Sequence, residues 1–119
     1  MRKNIVKDKS FAFAIRIVKL YQFLVDNRKE YILSKQVLRS GTSVGAMVRE
    51  AEHAESKADF NHKMAIAQKE INETIYWIEL LLETGYLSKE QFESINQDAV
   101  EIIKLITSII KSAKNNINH

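Results

Sequence analysis

Apolar and polar residues alternate along this chain at helical spacing, in four successive blocks. In the second block Val37, Gly41, Val44, Val48 and Ala51 recur by four and three, so they share one helix face. The third block carries Phe60, Met64, Ala67, Ile71, Thr74, Ile78 and Leu81 as an unbroken seven-residue repeat, and Phe92, Ile95, Ala99, Ile102, Ile106, Ile109 and Ala113 repeat it in the fourth. The first block is broader. Arg16, Lys19 and Asp26 fall within an arc of about 80° on a helical wheel. Phe11, Phe13, Ile17, Val18, Leu20, Tyr21, Leu24 and Val25 spread over much of the remainder. That arc is wider than one bundle core needs, so a second buried surface, and hence self-association, is expected.

Start and stop signals divide the blocks into helices at about residues 9–29, 34–54, 57–84 and 89–113. Asp8 or Ser10 can cap the first helix, since either side chain can accept from free backbone amides. Ser56 with Asp59, and Ser88 with Gln91, have capping-box spacing. Gly85 suits a left-handed stop. Gly41 and Gly45 stack one turn apart inside the second helix, where each costs about 1 kcal/mol relative to Ala; close approach of a neighbouring backbone is the expected compensation. The tail from Lys114 to His119 reads as frayed. Four helices with short links hide their seams by packing together, and the expectation is an all-α, antiparallel up-down-up-down four-helix bundle forming one domain over residues 1–119.

Composition agrees with helices and removes some chemistry. The 119 residues include no Pro and only three Gly, and the absence of Cys excludes disulfides, thiolate metal sites and cysteine nucleophiles. No apolar run approaches the roughly 20 residues that span a bilayer, and no signal-peptide pattern follows the basic start. A cytoplasmic protein without membrane partners is expected. The net charge of +3 conceals segregation. Residues 1–49 hold eleven Lys/Arg against three Asp/Glu, and residues 50–101 hold four against twelve. Such asymmetry suggests an anionic partner for the first half.

Candidate chemistry is sparse. Glu50 with His53, and Asp59 with His62, have carboxylate-x-x-His spacing of the kind found in di-iron bundles. Both pairs flank a turn near a bundle end, however, and the remaining ligands would have to come from Asp26, Glu30, Asp98 or Glu101, none clearly on a seam. Ser40, Thr42 and Ser43 have no His nearby in sequence and suit packing or bonding to the preceding turn. Gly41 and Gly45 lie inside a helix, unlike a phosphate-binding loop, and Glu70 and Glu73 read as a solvated pair. No metal, cofactor or catalytic residue is expected. The basic residues are the better clue: an arm of Arg2, Lys3, Lys7 and Lys9, and further on Arg28, Lys29, Lys35, Arg39 and Arg49, which could neutralise phosphates. The competing reading is internal pairing. Folding back about residue 56 sets Arg39 opposite Glu73, Lys35 opposite Glu79 and Glu50 opposite Lys63, leaving the arm, Arg16, Lys19, Arg28 and Lys29 unaccounted for.

The stretch RSGTSVGAMVREAEHAESKADF, Arg39 to Phe60, resembles the signature of the four-helix-bundle family named for proteins encoded in intervening sequences of bacterial 23S ribosomal RNA genes. INETIYWIELL, Ile71 to Leu81, and the turn Gly85-Tyr86-Leu87 are similar to the same family, while Met47 stands where relatives often carry Asn. The resemblance implies an up-down bundle assembled into a homopentameric ring, without established enzymatic activity. It also implies kinship with accessory proteins of diversity-generating retroelements, which bind nucleic acid and a reverse transcriptase through a basic surface. The resulting expectation is a non-catalytic oligomer that binds RNA or DNA through Arg28, Lys29, Lys35, Arg39 and Arg49. Its subunits would meet through Phe13, Ile17, Tyr21, Tyr76 and Trp77. The alternatives are an assembly module with a protein partner and no nucleic acid, and, more remotely, a metal-dependent bundle enzyme.

Overall fold

The computed structural model describes residues 4–117. Four α-helices follow one another: α1 (Ile5–Arg28), α2 (Leu33–Glu52), α3 (Lys57–Glu83) and α4 (Lys89–Ile117), with no strand among the described residues. Each helix packs on its neighbours in sequence, and α4 returns to α1 through a sparser contact, so that α1 and α3, like α2 and α4, lie on diagonals. The molecule measures 51 × 26 × 21 Å.

The expected seams form the core. Val37, Val44, Val48 and Ala51 of α2, Met64, Ala67, Ile71, Ile78 and Leu81 of α3, and Ile95, Ala99, Ile102 and Ile106 of α4 are buried together. Thr74, the one polar member of the α3 seam, is also buried and satisfies its hydroxyl by donating to Ser40 Oγ at 2.9 Å. On α1 the core stripe is Val6, Ser10, Phe13, Ile17 and Leu24.

Two boundaries lie four residues from expectation. α1 opens four residues early because Asn4, not Asp8 or Ser10, caps it, its side chain accepting from the Lys7 amide at 3.1 Å. Ser10 is instead buried in mid-helix and donates to the Lys7 carbonyl at 3.2 Å. The basic arm is accordingly helical where it is described: Lys7 and Lys9 lie in α1, while Arg2 and Lys3 fall outside the described residues. At the other end α4 continues through Lys114 to Ile117, where fraying was expected.

The links follow their cues. Ser56 Oγ accepts from the Asp59 amide at 3.0 Å. Ser88 and Gln91 form the reciprocal box, at 2.8 and 3.1 Å. Gly85 takes φ +85° after α3. The entry to α2 has a device with no sequence cue, because its N-cap residue Ile32 offers no side-chain acceptor. The Glu30 carboxylate, almost wholly buried, accepts from the amides of Ile32 (3.2 Å), Leu33 (3.0 Å) and Ser34 (2.7 Å). Ser34 Oγ closes the loop by donating to the Glu30 carbonyl at 2.9 Å.

Candidate interaction surface

The two glycines of α2 bring α1 close. A Cβ at position 45 would stand 3.3 Å from the Ser10 carbonyl oxygen, so there a backbone approaches as expected. At position 41 the neighbour is a side chain: a Cβ would lie 2.7 Å from Ile17 Cγ1. This contact fixes the rotation of α1 about its own axis. With Ile17 turned into Gly41, Phe13 and Ile17 are spent on the chain's own core, and both are essentially inaccessible. The expectation that they form a subunit interface is therefore corrected. What the same rotation leaves outside is Phe11 (52% exposed), Ile15 (44%) and Val18 (39%), spaced by four and three as one stripe. The breadth of the apolar arc signalled this second face, but not its phase; Ile15 was missed.

Two of the three remaining interface candidates meet on α3. Tyr76 is 58% exposed and meets Trp77 edge-on, centroids 5.0 Å apart at 70°. Trp77, half-buried, donates its indole N–H to Glu73 Oε2 at 3.0 Å. Tyr21 is half-buried on α1.

The basic residues are largely occupied. Arg39 reaches across from α2 to α3, bonding Glu70 Oε2 at 3.1 Å and also Glu73. Glu70 is nearly buried, so this guanidinium is committed to charges the fold itself desolvates. Arg28 donates to the carbonyls of Gly85 (2.9 Å) and Tyr86 (3.2 Å) and lies 5.5 Å from the Tyr86 ring centroid. Lys7 pairs with Glu52 at 3.0 Å, Lys9 with Glu101 at 3.0 Å and Arg16 with Asp98 at 2.7 Å. Lys63 pairs with Glu50 at 3.0 Å, as the fold-back register predicts. Lys35 makes no ion pair with Glu79 or with any other described residue. Of the five phosphate-binding candidates, Lys29 and Lys35 are exposed and uncommitted, and Arg49 stacks over Phe11, 4.9 Å from its centroid.

Local charge is tuned mildly. Burial pushes the Glu30 carboxyl up, but the amide bonds from Leu33, Ser34 and Ile32 outweigh it and hold the group below its ordinary value. The Lys7 bond holds Glu52 down, and the Glu50 bond raises Lys63. Glu50, His53 and Asp59 line one shallow depression at the turn between α2 and α3, without His62, and among the described residues no three His, Cys, Asp or Glu are placed to share a metal ion. Glu50 is committed to Lys63, and Asp59 lies in the first turn of α3, accepting weakly from the Glu55 amide at 3.4 Å. Among the described residues no helix is long and apolar enough to cross a membrane.

Comparison with known proteins decides the family. Residues 2–108 match the family described as 23S rRNA-intervening sequence protein. The chain belongs to that family. A crystal structure of a protein with unknown function from the S23 ribosomal protein family of Bacteroides thetaiotaomicron is 63% identical and superposes with a TM-score of 0.88. The likeness covers 89% of this chain and 98% of that one. No curated protein matches. In this family member Met47 is half-buried and packs against the apolar core.

Proposed function

We propose that this family member is a non-catalytic assembly module, an up-down-up-down antiparallel bundle whose copies join into a homopentameric ring. The course of the helices is supported by the contact order: Arg39 meets Glu73 while Glu50 meets Lys63, and Arg16 meets Asp98 while Lys9 meets Glu101. The observation that carries the function is the Phe11, Ile15 and Val18 stripe. A helix that already buries one apolar stripe leaves a second in water, and exposed apolar surface of this kind marks interaction sites. Sedimentation velocity of the intact chain tests the proposal: it should run as a multiple of its 13.8 kDa mass. Replacing Ile15 and Val18 by Glu should return it to a folded monomer.

A second reading keeps nucleic acid as the ligand. It is favoured by Lys29, Lys35 and Arg49, exposed cations that no described carboxylate neutralises, and by the relative's description as a ribosomal-protein family member. A structured RNA should then shift the sedimenting species at about 50 mM salt and much less at about 200 mM, because phosphate contacts release counterions. Absence of a shift at either salt removes this reading and leaves the assembly module.

A further inference from the structure

Two surfaces of the chain are apolar, exposed and opposite in charge. The first is the α1 stripe of Phe11, Ile15 and Val18, beside which Lys19 and Arg49, exposed and unpaired among the described residues, outnumber the exposed Asp8. The second is the outer edge of α3 at Tyr76. From Lys69 to Glu83 that helix carries four Glu against the single Lys69. Arg39 balances one of these charges, while Glu79 and Glu83 stay exposed without a described ion-pair partner. The aromatic pair here is pre-organised: Arg39 holds Glu73, Glu73 holds the Trp77 indole, and Trp77 braces Tyr76. An aromatic side chain fixed before contact loses little freedom on binding, and this is the character of an interface anchor.

Were either surface to pair with its own copy across a two-fold axis, it would meet a patch of its own sign. Paired with each other, the two satisfy both hydrophobic burial and charge. Resting on the assembly reading above, we infer that the α1 stripe of one copy docks on the Tyr76 edge of α3 in the next. The contact is heterologous: each copy offers two different faces, and repetition by rotation closes a ring. The segregated charge of the sequence thereby acquires a use that does not require nucleic acid.

The test uses two full-length variants, each disabled on one face. I15E/V18E introduces carboxylates into the α1 stripe, and Y76K/E79K introduces cations into the α3 edge. All four positions are exposed or nearly so, and circular dichroism with thermal melting verifies that both variants fold; if one does not, I15S/V18S or Y76S replaces it. Alone, each variant should sediment as a monomer, since every contact needs one intact face of each kind. Mixed in equal amounts they should associate, because I15E/V18E retains its α3 edge and Y76K/E79K its α1 stripe, and the two altered faces, one anionic and one cationic, do not repel each other. If the mixture stays monomeric, or if Y76K/E79K alone assembles like the wild type, the pairing is overturned while the assembly reading stands. A wild type that is monomeric throughout overturns both.

Discussion

Ile17 of α1 occupies the space that any side chain at Gly41 of α2 would need, its Cγ1 and Cγ2 atoms lying 2.7 and 2.8 Å from an ideal Cβ at that position. Ile17 is wholly buried and branched at Cβ, so it has little freedom to turn away. Gly41→Ala gains about 1 kcal/mol of helix propensity, but overpacking of this kind costs about 1–3 kcal/mol. The expected outcome is a net loss of stability in urea denaturation. In an Ile17→Ala background the same change should cost less or stabilise, since the clash is gone. Gly45→Ala, facing the Ser10 carbonyl at 3.3 Å, should be milder.

The Glu30 cap predicts a pH dependence. Its folded-state carboxyl titrates below the ordinary 4.5, so its contribution is complete above that value and disappears as pH falls through the lowered one. Glu30→Ala strips three amides of their acceptor and should cost about 2 kcal/mol at pH 7, within the range for losing a helix cap. As pH falls through that lowered value the variant and the wild type should converge. Equal stability of the two at pH 7 would contradict the capping role.

Arg39 and Lys35 lie four residues apart on α2 but should answer differently to mutation. Arg39→Met leaves Glu70 buried without its cation, and a loss of about 1–3 kcal/mol is expected. Adding Glu70→Gln should recover part of it, and a double-mutant cycle measures how much. Lys35→Gln removes an exposed, unpaired cation and should lie within about 0.5 kcal/mol of wild type.

Gly85 isolates backbone strain from packing. It adopts φ +85°, and a Cβ there would meet nothing within 4 Å. Gly85→Ala should therefore cost about 1 kcal/mol through conformation alone, and Gly85→Asn less, because Asn tolerates the left-handed region better. Thermal melts of the two variants give the comparison.

The fold was legible because its seams are periodic: the α2, α3 and α4 core could be named from spacing, and the cap at Ser56 and the box at Ser88 from local pattern. α1 was legible only in breadth. Its apolar residues occupy most of the wheel, and which part faces inward depends on where Gly41 and Gly45 admit Ile17 and Ser10, a tertiary contact without a local signature. The basic cluster was legible only in part, for a related reason. Charge counts do not reveal which cations the fold consumes, and Arg28 is consumed by backbone carbonyls that no charge pattern marks. Glu30 escaped notice because it caps from two residues before the N-cap position.

The division of charge between the two halves of the chain also bears on how quickly the native state is reached. Arg16–Asp98, Lys9–Glu101 and Arg39–Glu70 each join a basic first half to an acidic second half. Attraction between the halves therefore acts before their apolar surfaces touch, over a Debye length of about 30 Å at 0.01 M salt but only about 3 Å at 1 M. Refolding should slow as sodium chloride is added, whereas unfolding, which starts with these pairs already in contact, should respond less.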